Sequence, residues 1–340
     1  MRIKINRRHI PPLASLVVLL VLPIFLGNNP YIMYILILCL IWAVVAAAWD
    51  LIMGYGGVFS FGQVAFFAIG AYTTALLTKT GPKTLDIGIS PWLGLLLGGV
   101  VAAVVGILIA LPCLRLRGIY PALVTFALHE TLIPLILLGE PIGTGGVGSC
   151  VNIPPFQLGG YTFTPLDRVP SYYVALAISA VLIFVIYKVI HSSFGRAFVA
   201  LRDDEPFAKS LGIDEHKHRV MLFGISAFIT GIAGAFYAHY CGLISHQILG
   251  LDIFILLLVM VIIGGLGRFP GAVIAAFIFT FANEFLRPLE AFRPVILGGI
   301  IIAAIIFTPQ GLGGIPDIVR PFIRRTFRRS SVGKSNSVLR

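Results

Sequence analysis

Apolar runs, most of them within the range of about 17 to 25 residues that crosses a hydrocarbon layer about 30 Å thick, follow one another from Pro12 almost to Pro309. Short polar breaks separate them. Lipid offers the backbone no hydrogen-bond partners, so each run must be a helix or a barrel strand, and these runs lack the alternation of strands. The pattern predicts spans at Pro12–Leu26, Tyr31–Met53, Val58–Leu77, Trp92–Leu111, Ile119–Leu138, Tyr172–Ile190, Val220–Tyr240, Ile253–Leu266, Ala272–Leu286 and Val295–Phe307. The expected fold is therefore all-α, a polytopic membrane bundle of about ten transmembrane helices.

Composition agrees with the pattern: 58% of the 340 residues are hydrophobic and 11% charged, and the mean hydropathy is +0.98, far above what a soluble domain needs for one core. The net charge of +11 is concentrated in Arg2–Arg8 and Arg320–Arg340, beside spans. That placement fits contact with cytoplasmic lipid rather than with nucleic acid. With both ends in the cytoplasm, alternation puts Arg115, Arg117 and Arg268 inside as well, as the positive-inside bias requires. Residues 1–11 are then a basic cytoplasmic N-terminus, 12–314 the membrane domain, and 315–340 a basic cytoplasmic tail. Segment 140–170 is an outer loop and 191–219 a cytoplasmic one. The start of the chain resembles a secretory signal but lacks a small-x-small cleavage site, so an uncleaved first helix is expected. Cys39, Cys113, Cys150 and Cys241 lie far apart, which indicates neither a metal site nor a disulfide framework.

Within the membrane pattern, Gly54-Tyr55-Gly56-Gly57-Val58-Phe59-Ser60-Phe61-Gly62-Gln63 is an interruption by small residues, which permit close helix contact or a helix break beside a cavity. A short echo, Gly264-Gly265-Leu266-Gly267-Arg268-Phe269-Pro270-Gly271, begins another outward-going span. The 191–219 loop differs from every other inner loop in length. It reads as two short helices with a bend, with acids Asp203, Asp204 and Glu205 before Pro206, a stop at Gly212, and an apolar face of Phe198, Leu201, Phe207 and Leu211. Acids and bases are balanced there, so docking to a protein is favoured over resting on lipid.

Taken in order, Gly195-Arg196-Ala197, Arg202-Asp203-Asp204-Glu205, Ala208, Leu211-Gly212-Ile213 and Gly231-Ile232-Ala233-Gly234-Ala235-Phe236-Tyr237-Ala238 resemble the permeases of high-affinity branched-chain amino acid importers, a family of ABC transporters. The likeness extends through Gly54-Tyr55, Ser60, Gly62-Gln63, Ala65-Phe66-Phe67, Gly264–Gly267 and Thr308-Pro309-Gln310-Gly311-Leu312, and covers about Trp49 to Gly314. It departs at Val58, where the family usually has glutamine, and at Asp50, where asparagine is common. The resemblance implies a permease subunit importing leucine, isoleucine and valine across a bacterial inner membrane. Implied partners are a second related permease, two cytoplasmic ATP-binding subunits and an external solute-binding protein. It also implies that the 191–219 loop couples to the ATPases through Arg196, Ala200, Arg202, Asp203, Asp204, Glu205, Ala208, Leu211 and Gly212.

No complete phosphate-binding loop is present. Gly333-Lys334-Ser335 has the terminal triplet, but Arg328 stands at the earlier glycine position, so ATP is expected to be hydrolysed by partner subunits and no cofactor to be bound directly. A charge at bilayer depth costs at least about 2.5 kcal/mol, which singles out Glu130, Asp50 and Glu284 as candidates for the translocation pathway. For Glu130, which resembles an acid of the permease family, a place on the translocation pathway, a structural ion pair and a protonated, hydrogen-bonded acid all satisfy that cost. His129 is read as a packing residue. Ser60, Gln63, Thr73 and Asn283 are the sparse hydrogen-bonding groups expected along an otherwise apolar passage. Two rival readings stay open on sequence: a urea or short-amide permease of the same family, and a proton-coupled secondary carrier using Glu130. No HExxH or GxSxG motif and no cluster of histidines with carboxylates points to an enzyme or a metal site.

Overall fold

The computed structural model describes residues 18–23, 27, 29–80, 87–116, 118–158, 161–163 and 167–289, together with 292, 295, 296, 298, 299, 302 and 311–314. The basic segments 1–11 and 315–340 lie outside the described residues. So do most of the expected first and last spans.

The chain is mostly helical. Helix α1 is Pro30–Asp50, extended by a π-helical turn, Leu51–Tyr55. It is followed by α2 (Gln63–Thr78), α3 (Pro91–Cys113), α4 (Tyr120–Leu138) and α5 (Arg168–His191). After these come α6 (Ser193–Asp203), α7 (Glu205–Ser210), α8 (Glu215–Cys241), α9 (Leu251–Gly264) and α10 (Gly271–Phe285). Among the described residues, four three-residue strands qualify the all-α expectation. β1 (Ser149–Val151) pairs antiparallel with β4 (Leu243–Ser245), Cys150 opposite Ile244, and β2 (Phe156–Leu158) pairs with β3 (Tyr161–Phe163).

Among the described residues, α1 with its π turn, α3, α4, α5 and α8 are long and apolar enough to cross a membrane. Helices α2, α9 and α10 are apolar but have 16, 14 and 15 residues. At 1.5 Å per residue these reach roughly 21–24 Å, less than the hydrocarbon thickness.

The centre of the bundle is α1. It is apolar all round, and every residue from Ile35 to Asp50 is buried, so it is a core helix rather than a lipid-facing one. Helices α5, α8, α9 and α10 pack around it, while α2, α3 and α8 form the most extensive mutual contacts. In lipid, helix association depends on close van der Waals packing rather than on hydrophobic exclusion, and small residues supply it here. A Cβ on Gly98 would lie 2.7 Å from the Gly70 carbonyl, and one on Gly231 would lie 2.9 Å from the Gly98 carbonyl. The three backbones meet at that crossing.

The expected span Val58–Leu77 differs from what is observed. Its helix begins at Gln63, and residues 56–62 are irregular, with Val58, Ser60 and Gly62 buried and Gly57 and Phe59 exposed. Irregular backbone at membrane depth is tolerated when protein serves its polar groups, and here it does. The Val58 N–H donates to the Ile52 carbonyl (3.2 Å), the Phe61 N–H to Thr125 Oγ1 (2.7 Å), and Trp49 Nε1 to the Ser60 carbonyl (2.7 Å).

The β1–β4 pairing brings loop 140–163 beside 242–250 at one end of the bundle. At the other end, Gly54–Gly57, the α6–α7 loop and the Gly265–Pro270 turn come together.

Candidate translocation and coupling site

The loop after α5 is built from local signals. Ser192 caps α6, its Oγ accepting from the Gly195 N–H, and Asp204 caps α7, accepting from the Phe207 N–H at 3.0 Å. Pro206 sits in the first turn of α7, where its missing N–H costs nothing. Gly212, at φ +82°, ends the helix, with its N–H on the Lys209 carbonyl and that of Ile213 on the Ala208 carbonyl. Asp214 caps α8 in turn.

A ring of four charges fixes α7 against the start of α8. Lys209 Nζ donates to Glu205 (2.7 Å) and to Glu215, while Arg219 donates to Glu205 (3.1 Å) and to Glu215 (2.5 Å). Glu215 is 7% exposed, so its charge is held by both cations. The hydrogen bond from Lys209, helped by the nearby Arg219 charge, holds the Glu205 carboxyl below the ordinary carboxylate range. Contact with Glu205 and Glu215 raises the Lys209 ammonium above its ordinary value.

The apolar face expected of this loop divides into two. Phe198 and Leu201 are buried against the bundle, whereas Phe207 and Leu211 are 61% and 65% exposed. Arg196, Asp203, Asp204 and Gly212 are also exposed, Ala200 is half-buried, and Ala208 is fully buried. Arg202 turns inward: its Nη1 donates to the Gly54 carbonyl at 2.7 Å, and its Nε and Nη2 both engage Asp203 Oδ1 at 2.8 Å. Beside α7 a cavity of about 280 Å³ is lined by Gly57, Val58, Leu116, Gly118, Pro121, Glu205, Pro206 and Arg219.

The membrane-depth polar residues fall into three settings. Ser60 and Gln63 are fully buried; Gln63 Nε2 donates to Ser226 Oγ (3.1 Å) and to Thr230, and Ser226 Oγ donates to the Ala48 carbonyl (2.6 Å), which ties α2 and α8 to α1. Asp50, also buried, accepts from the Gly267 N–H at 2.8 Å. Glu284 accepts from the Tyr31 hydroxyl (3.1 Å) and lies 3.5 Å from Arg287, joining the ends of α1 and α10, while Asn283 and Thr73 are half-buried. Glu130 stands apart from these. It lies on an exposed stripe of α4 with Tyr120, Leu123, Ala127, Thr131, Pro134 and Leu138, while His129 is buried on the opposite side against Phe126 and Phe254.

Two groups escaped the sequence reading. His239 lies between Thr74 and Pro154: its Nδ1 is 2.7 Å from the Pro154 carbonyl, which can only accept, so Nδ1 carries the proton and Nε2 accepts from the Thr74 hydroxyl at 2.7 Å. Tyr55 accepts from the Phe269 N–H at 3.1 Å. Both act on residues more than eighty positions away; Tyr55 lies in the small-residue interruption at 54–63, but no local pattern marks its partner or those of His239.

The family described as branched-chain amino acid transport system, permease component, matches residues 31–308, which takes in α1 through α10 and the loop. The chain belongs to that family. The permease is 31% identical over 296 residues to the high-affinity branched-chain amino acid transport system permease protein LivM of Escherichia coli K12, covering 81% of this chain and 68% of that protein. The Salmonella typhimurium LivM protein is 32% identical over 294 residues, with 80% and 68% covered. The high-affinity branched-chain amino acid transport system permease protein LivH of E. coli K12 is 28% identical over 148 residues, 42% of this chain and 46% of that one. No solved structure matches the permease.

Proposed function

We propose that the permease is the membrane-spanning subunit of an ATP-driven importer of leucine, isoleucine and valine in a bacterial inner membrane. About ten spans, with both termini cytoplasmic, complete the membrane domain. A second related permease shares the pathway, two cytoplasmic subunits hydrolyse the ATP, and an external binding protein delivers the amino acid; the permease has no ATPase site of its own. The observation that carries this reading, beside family membership, is the α6–α7 loop, a capped and ion-paired structure in which Phe207 and Leu211 are exposed among the described residues. Closure of the ATPases moves the docked loop and favours one of two pore arrangements.

The stripe of α4 carrying Glu130 faces the second permease or the passage between the two, since a carboxylate exposed to lipid costs at least about 2.5 kcal/mol. Thr73 and Asn283 offer weak hydrogen bonds along an apolar route, which suits a zwitterion with an aliphatic side chain that must also be released. Ser60 and Gln63 support that route by holding the irregular 56–62 segment and α2 in place.

The test is uptake in proteoliposomes containing the four kinds of subunit. Accumulation of labelled leucine that requires ATP and the binding protein is expected. Uptake of urea in place of leucine would move the substrate to short amides. Accumulation driven by a proton gradient with the ATPases left out would replace the reading with a secondary carrier.

A further inference from the structure

The Arg202 side chain is 34% exposed, yet its guanidinium reaches inward to the end of α1. Its guanidinium is held on its outer edge by Asp203 Oδ1, through Nε and Nη2 at 2.8 Å, which orients the fork and leaves Nη1 for the Gly54 carbonyl at 2.7 Å. Gly54 lies in the π turn that ends α1, where terminal carbonyls lack an intrahelical partner. Two glycines, Gly57 and Gly267, make room for the side chain. At Gly57, φ +65°, an added Cβ would run into the Arg202 stem, and at Gly267, φ +70°, it would lie 2.9 Å from both Nη1 and the Gly54 carbonyl. A side chain on Gly54 would collide with Asp50 and Gly267.

The same cluster crosses to the second helix break. Asp50 at the end of α1 accepts from the Gly267 N–H at 2.8 Å, and Tyr55 accepts from the Phe269 N–H at 3.1 Å. Gly267 and Phe269 lie in the turn that starts α10, itself packed along α1. One side chain of the loop therefore touches the point where two pore helices are interrupted and joined to each other.

We propose that Arg202 is the positioning residue that transmits movement of the α6–α7 loop into the pore, acting as a latch on the Gly54 and Gly267 breaks rather than as a contact to the ATPase. The proposal rests on the reading of the loop as the ATPase dock. A displacement of α6 either carries the Gly54 carbonyl with it or breaks a part-buried charge-assisted hydrogen bond, so the loop and the two breaks share two arrangements rather than a continuum. Lysine cannot replace the arginine fully, because a single ammonium lacks the fork that engages Asp203 and Gly54 in one plane.

The experiment uses the full complex in proteoliposomes, measuring leucine taken up per ATP hydrolysed and the amount of ATPase subunit that co-purifies. For Arg202→Gln the ATPases are expected to stay bound while the uptake-to-hydrolysis ratio falls about tenfold, the bias that one charge-assisted hydrogen bond gives to a two-state equilibrium. Gly267→Ala, which displaces the guanidinium without removing it, is expected to lower the ratio similarly, the double variant to be no worse than either single one, and Arg202→Lys to recover part of it. An unchanged ratio in Arg202→Gln, or additive losses in the double variant, would overturn the latch. Loss of the ATPase from Arg202→Gln would also overturn it, returning Arg202 to the docking face. Phe207→Asp tests the underlying reading separately: it is expected to lose the ATPases, and their retention would remove the dock on which the latch depends.

Discussion

Replacing Glu215 by glutamine tests the ring of charges that shapes the α6–α7 loop. The change preserves volume but puts an amide beside two cations, Lys209 and Arg219, so at least one charge-assisted hydrogen bond is lost and a donor faces a donor. Such a bond to a buried charge contributes about 1.5–3 kcal/mol. The acid is 7% exposed, but Arg219 is 20% and Lys209 43% exposed, and solvent screening reduces the expected loss to about 1–2 kcal/mol. Amide hydrogen exchange of the purified permease reads this directly. The N–H groups of Ala208, Leu211 and Ile213, bonded to the carbonyls of Asp204, Phe207 and Ala208, are expected to exchange roughly 5- to 30-fold faster, at 1.4 kcal/mol per factor of ten. Amides within α10 are expected to be unaffected. Unchanged protection of those three amides would refute the claim that the ring holds α7, and equal acceleration in α10 would show that the substitution disturbs the whole bundle.

The depressed Glu205 carboxyl makes loop stability depend on pH: its contribution is complete above the unfolded carboxylate value of about 4.3 and is lost as pH falls through the lower folded value. Exchange protection corrected for intrinsic rates should be flat from neutral pH down to that value and fall below it, with a smaller fall in Glu205→Gln. At the three-helix crossing, Gly231→Val forces side-chain atoms onto the backbone of Gly98 and Gly99, and a loss of about 1–3 kcal/mol is expected, measured as a lower midpoint of thermal unfolding in detergent. His239→Ala removes both bonds between Thr74 and Pro154, so loop 140–163 should be cleaved faster by added protease while α6–α7 keeps its resistance.

Much of the architecture follows from local chemistry. Long apolar runs in a medium without hydrogen-bond partners must be helical, so α1, α3, α4, α5 and α8 are legible from hydropathy and length. The bend of the loop is equally local: Asp204 before Pro206 and Gly212 after Leu211 are start and stop signals acting within a few residues, and α7 lies between them. The small residues of 54–63 permit either close helix contact or a break, and hydropathy does not choose between them; the break at 56–62 is decided when Thr125, Trp49 and Ile52 serve its backbone. The orientation of single residues is also a tertiary decision. Phe198 and Phe207 belong to one apolar face on paper, yet one is buried and the other uncovered, because α6 packs on the bundle while α7 turns away at Asp204. Arg202 sits in an exposed, charged stretch of chain, and its partner Gly54 is 148 residues away. Neighbours so distant are set by the packing of α1, α6 and α10, and a pattern read along the chain registers only near ones.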